Sequence, residues 1–138
     1  MTPMQTKASF PPLLARGLSL LLWMGVIFLF SALPGSEYPY TPTLSYFLER
    51  KGAHVVEYAA LMFLAVRFVA ALFPREAVRN ILLLSTCFAL AYAVSDELHQ
   101  FFVPYRGAKM SDVLIDGLGI ALMGTLLWLA ADRHKRRR

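Results

Sequence analysis

The sequence predicts an all-α fold: a bundle of four transmembrane helices, with the N- and C-termini on the cytoplasmic side and one domain over residues 1–138. Three observations carry that expectation. Apolar residues make up 57% of the chain, gathered into four blocks rather than spread as a large soluble core would need. Each block is close to the roughly 20 residues a helix needs to cross a hydrocarbon layer about 30 Å thick. Lysine and arginine are also distributed unevenly between the segments that join the blocks. The net charge of +5 therefore reads as a topology signal and not as a nucleic-acid surface, because the basic residues sit between and after apolar runs.

The first block runs from about Leu13 to Leu33 and is stopped by Pro34-Gly35. It is too long for the apolar region of a cleaved signal peptide, and no clean small-x-small site follows, so it reads as a permanent helix. The longest connection, residues 34–52, carries Tyr38, Tyr40, Tyr46 and Phe47, which suit an interfacial aromatic belt. Within it, Leu44 to Arg50 reads as a short helix lying on the bilayer surface. The second block runs from about Ala53 to Phe73 and stops at Pro74, and the third from about Ile81 to Val103, stopping at Pro104. The third holds the lone cysteine, Cys87, which reads as a small buried hydrophobe. The fourth runs from about Asp112 to Ala131 and ends at a basic tail, His134 to Arg138. Gly117 and Ala121, with Gly124 nearby, form a small-residue face that predicts close helix packing. The two later connections are short, so successive helices are antiparallel neighbours.

With the N-terminus inside, ten lysines and arginines fall on the cytoplasmic side, and four (Arg50, Lys51, Arg106 and Lys109) fall outside. This orientation sends the other ionisable residues to one place. The second span opens with Lys51, His54 and Glu57; the third closes with Asp96, Glu97, His99 and Gln100; the fourth opens with Asp112 and Asp116. At the helical repeat, Lys51, His54, Glu57, Tyr58 and Leu61 share an arc of about 120°, and Asp96, Glu97 and Gln100 one of about 100°. His99 points away from Glu97, toward another surface. Asp112, Asp116, Gly119 and Met123 form one stripe. Three helices thus aim polar stripes at one point near the outer boundary. Five carboxylates in a low dielectric need cations, a metal or bound protons. A charge-paired plug that merely fastens helices is the plain reading; a binding or catalytic site is the functional one, favoured because ionisable groups inside a membrane are costly.

These residues resemble a known family. Arg50-Lys51-Gly52-Ala53-His54-Val55-Val56-Glu57-Tyr58 is similar to the K-x-x-H-x-x-E-Y opening of a VanZ-like domain. Ser95-Asp96-Glu97, with Gln100, Phe102, Pro104 and Arg106, resembles its S-D-E-x-x-Q-x-F-x-P-x-R motif. Asp112, Asp116 and Gly119 resemble its following D-x-x-x-[N/D]-x-x-G, with Asp116 standing where many members carry Asn. The motifs cover about residues 50–119, and helix number and order agree along nearly the whole chain. The resemblance implies a multi-pass protein of the bacterial cytoplasmic membrane, with a polar site facing outward. The family takes its name from a protein linked to low-level resistance to the glycopeptide teicoplanin. Small members are common in bacteria without resistance clusters, so resistance is a loose implication. No settled mechanism carries over.

The site residues expected are therefore Lys51, His54, Glu57, Asp96, Glu97, Gln100, Arg106, Asp112 and Asp116. Three functions fit them. The first is binding or gating of an envelope component, a lipid or cell-wall precursor whose phosphate or carboxylate head group arginine and lysine would hold. The second is a membrane enzyme on lipid-linked phosphates, with His54 and Glu57 as base and orienting partner, or with Asp96, Glu97, Asp112 and Asp116 holding a divalent cation through oxygen. No G-x-S-x-G, H-E-x-x-H or P-loop motif points to a particular enzyme class. The third is proton- or ion-coupled transport. Membrane lipids are the expected surroundings, and nucleic acid is not an expected partner.

Overall fold

A long apolar segment in lipid has no water to satisfy its peptide groups, so it closes its own hydrogen bonds as a helix. The computed structural model describes residues 12–35, 43–107 and 109–137. Over them the chain forms α1 (Pro12–Ser31), α2 (Leu44–Leu72), α3 (Val78–Phe101) and α4 (Met110–Arg136), with no strand among the described residues. All four are long and apolar enough to cross a membrane. Pro12 occupies the first helical position of α1, where a missing N–H costs nothing. Pro34, Pro74 and Pro104 each follow a helix end by two or three residues.

The helices alternate in direction, so α1 and α3 run parallel, as do α2 and α4. α2 is central and touches the other three; α1 and α4 do not touch among the described residues. Leu20, Ile27, Tyr58, Leu61, Met62, Ala65, Ala89, Ala93 and Ile120 form the core. The large apolar side chains on the outside, Leu21, Leu22, Leu84 and Leu122 among them, suit a lipid environment. Apolar packing gives little net drive between helices in lipid, so polar pins matter more. α1 is held by several. Trp23 Nε1 donates to the Glu57 carbonyl at 2.9 Å, and the Tyr92 hydroxyl donates to the Met24 carbonyl at 2.6 Å.

Four expectations need correction. Leu44 to Arg50 is not a separate surface helix but the first turns of α2, because only Gly52 weakens helix between Leu44 and Ala53, at about 1 kcal/mol. α4 does not stop at the basic tail but runs through it to Arg136, where Arg136 pairs with Asp132 one turn back. Cys87 is exposed on the outer surface, not buried. The tightest helix contact is at Gly119, where an added Cβ would collide with the Val55 carbonyl of α2; at Gly117 it would meet only Leu90, 3.9 Å away, and Ala121 is exposed. Tyr38 and Tyr40 lie outside the described residues, while Tyr46 and Phe47 belong to α2.

Candidate functional site

One end of the bundle gathers the C-termini of α1 and α3 with the N-termini of α2 and α4. Because α2 and α4 run parallel, residues spaced by three or four on each can meet in register. Lys51 forms an ion pair with Asp112, which also accepts from the Ser111 hydroxyl at 3.1 Å. One turn deeper, His54 Nδ1 is hydrogen-bonded to Asp116 Oδ1 at 2.9 Å. Another turn on, Gly119 lets the two backbones close. A polar seam and a close approach thus follow each other along one stripe of α4.

On α3, Gln100 Nε2 donates to Asp96 Oδ2 at 3.0 Å and to the Ser31 hydroxyl of α1 at 3.3 Å. Glu97 turns toward the α3–α4 connection, where Glu97 Oε2 accepts the Lys109 backbone N–H at 2.8 Å, just before α4 begins. Arg106, in the same connection, donates from Nη1 to the carbonyls of Phe30 and Ser31 at 2.9 and 2.7 Å. Those carbonyls belong to the last turn of α1, which lacks helical partners, so Arg106 caps that helix. Tyr105 beside it takes a positive φ of 57°, an unfavourable conformation for a residue with a side chain, and Gly35 N donates to the Pro104 carbonyl at 3.1 Å. A Cβ on Gly35 would strike the Tyr105 carbonyl, so only glycine lets the two connections meet this closely.

Between these elements lies a cavity of about 550 Å³. Its polar wall is Ser31, Arg50, His54, Glu57, Gln100 and Arg106, and its rim includes Phe30, Leu33 and Pro34. Of the nine residues expected from sequence, His54, Glu57, Gln100 and Arg106 therefore reach one shared space. Lys51, Asp112 and Asp116 are committed to the α2–α4 seam, Asp96 stands behind Gln100, and Glu97 binds the α4 start. His99 faces elsewhere, stacked on Phe28 with ring centroids 4.5 Å apart.

The four carboxylates expected as a cation ligand set each turn to a different donor. Among the described residues no three His, Cys, Asp or Glu side chains are grouped to hold a metal. Tyr58 is fully buried, and neither its hydroxyl nor Asp116 Oδ2 has a hydrogen-bond partner among the described residues.

Sequence reasoning missed Ser31, a lone hydroxyl ending an apolar span, and did not give Arg106 its capping role. Ser31 had a usable signal in its position beside the Pro34-Gly35 stop; the cap had none, because its acceptors are backbone atoms 75 and 76 residues away.

These features define a multi-pass α-helical membrane protein with a polar cavity at one end of the bundle. The chain belongs to the VanZ/LLP1 family, whose model matches residues 17–131. No curated protein and no solved structure matches it.

Proposed function

We propose that this protein lies in the bacterial cytoplasmic membrane with its polar end facing outward, and that the cavity holds the charged head group of an envelope lipid or cell-wall precursor. The observation that carries this reading is the composition of the cavity wall. Among the described residues, Glu57 is the one carboxylate lining the cavity, beside Arg50 and Arg106. Asp96, Glu97, Asp112 and Asp116 are engaged in helix contacts. Guanidinium groups suit the oxygens of a phosphate or carboxylate, and the apolar rim suits the start of a lipid chain.

Retention of lipid-linked phosphate by the purified protein tests this. Arg50→Gln should lower retention about tenfold, the size expected for one charged contact to a head group, with the helical spectrum unchanged. Equal retention by Arg50→Gln and the unmodified protein would overturn the reading. A reporter fused to the C-terminal tail tests the orientation, and activity outside the cell would put the cavity on the wrong side. A role in glycopeptide tolerance follows if the head group is that of a cell-wall precursor, and teicoplanin susceptibility of a deletion strain measures it.

A second reading rests on His54, which lines the same cavity while Asp116 holds its other face. This is the arrangement of a general base and its orienting partner. It requires turnover of a lipid-linked phosphate that His54→Ala abolishes; no turnover by the unmodified protein would remove it.

A further inference from the structure

A second cavity, of about 230 Å³, lies at the opposite end of the bundle between α1 and α2. Arg16 and Arg67 line it together with Ser19 and Leu64. Arg16 Nη1 donates to the Arg67 carbonyl at 3.4 Å, which tethers the first guanidinium to the second helix. The Arg67 guanidinium lies over the Phe63 ring, 5.6 Å from its centroid, so it folds back along α2 instead of extending away from the bundle. Ser19 is occupied, since its hydroxyl donates to the Ala15 carbonyl at 2.8 Å. No carboxylate among the described residues answers the two cations. Glu76 accepts from Asn80, and Asp132 pairs with Arg136.

Arg16 is four residues from the start of α1, and Arg67 five from the end of α2. At 1.5 Å per residue, both lie within about 8 Å of a helix end, in reach of the phosphate layer of a bilayer. Two like charges facing one cleft repel in the low dielectric there, and a single anion between them reverses the sign of that interaction. Leu64 in the wall and the exposed Phe63 beside it offer an apolar path for an attached chain.

We infer that the α1–α2 cleft binds the phosphate of an anionic phospholipid, with Arg16 and Arg67 as its two ligands. The site is separate from the cavity at the polar end and does not depend on its function.

Native mass spectrometry of the full chain, released from nanodiscs of phosphatidylglycerol mixed with phosphatidylcholine, tests the assignment. The unmodified protein should retain phosphatidylglycerol over phosphatidylcholine. The Arg16→Gln/Arg67→Gln double variant should lose that preference by about thirtyfold, as two basic contacts near a membrane surface imply. The charge-matched Arg75→Gln/Arg133→Gln control should keep it. Equal retention of both lipids by the unmodified protein overturns the inference, as does an equal loss in the control. If the double glutamine variant does not fold, Arg16→Lys/Arg67→Lys keeps both charges and should show a partial loss through its poorer fit to phosphate oxygens; undiminished retention by a folded lysine variant counts against the assignment. Inorganic phosphate titrated against delipidated protein separates the sources of the anion. Displacement of phosphatidylglycerol at equal concentration would place the specificity in free phosphate and overturn the lipid assignment.

Discussion

At the end of the bundle that carries the described tail, Arg75, Arg79, Arg133 and Arg136 stand exposed, and the one ion pair formed there among the described residues, Arg136–Asp132, has the arginine side chain 79% accessible. At the other end, Asp96, Glu97, Asp112 and Asp116 are buried, Asp116 completely. Both ends are rich in charge, but the physics differs. Exposed charges keep their hydration and contribute little to folding. A buried carboxylate loses its hydration and must recover that loss from a placed donor. Each of the four buried acids accordingly has its own donor: Gln100, the Lys109 N–H, Lys51 and His54. One end can therefore vary residue by residue, while the other behaves as a set of matched pairs.

Substitutions that separate the two ends test this contrast. The largest effect is expected from Asp116→Ala, which leaves His54 buried without its partner and should cost about 3–5 kcal/mol in a reversible unfolding titration in mixed micelles. Asp116→Asn keeps an acceptor for His54 and should recover most of that loss; if it is as damaging as alanine, the hydrogen bond is not the stabilising element. Next comes Gly119→Ala, expected near 3 kcal/mol because the obstructing atom is backbone and cannot swing aside. Gly25→Ala, where nothing lies within 4 Å of the added carbon, should be neutral or stabilising by the same assay. Arg106→Ala should cost about 2 kcal/mol by uncapping α1, and it should raise hydrogen exchange at the end of that helix. At the exposed end, Arg136→Gln should shift stability by less than about 0.5 kcal/mol. A loss there comparable to Asp116→Ala would erase the distinction between the ends.

The four spans were legible because apolar length is a local property, and proline marks three of the ends. The stripe Lys51, His54, Glu57 and the pair Asp112, Asp116 were legible for a similar reason, since helical spacing fixes which residues share a face. The finer partition was not. Periodicity places Glu57 and His54 on one arc, but whether a side chain meets α4 or opens onto a cavity depends on where the neighbouring helix crosses. Gly117 and Ala121 have the spacing of a packing face and Gly119 does not, yet Gly119 is the residue pressed against Val55. The small-residue pattern records which contacts are sterically permitted, and helix rotation chooses among them.

By itself the sequence determined the number of helices, their alternation and the separation of charge to two ends, because each of these follows from segment length, breakers and local composition. It also marked the polar residues that must meet, since burial in lipid leaves them few alternatives. Only the tertiary structure decided which acid takes which donor, that Arg106 closes α1, and that Arg50, Glu57 and Gln100 share a cavity while Glu97 and Asp112 do not. Those outcomes depend on the rotation and crossing of helices held by contacts up to 76 residues apart, and no local pattern encodes a relative orientation.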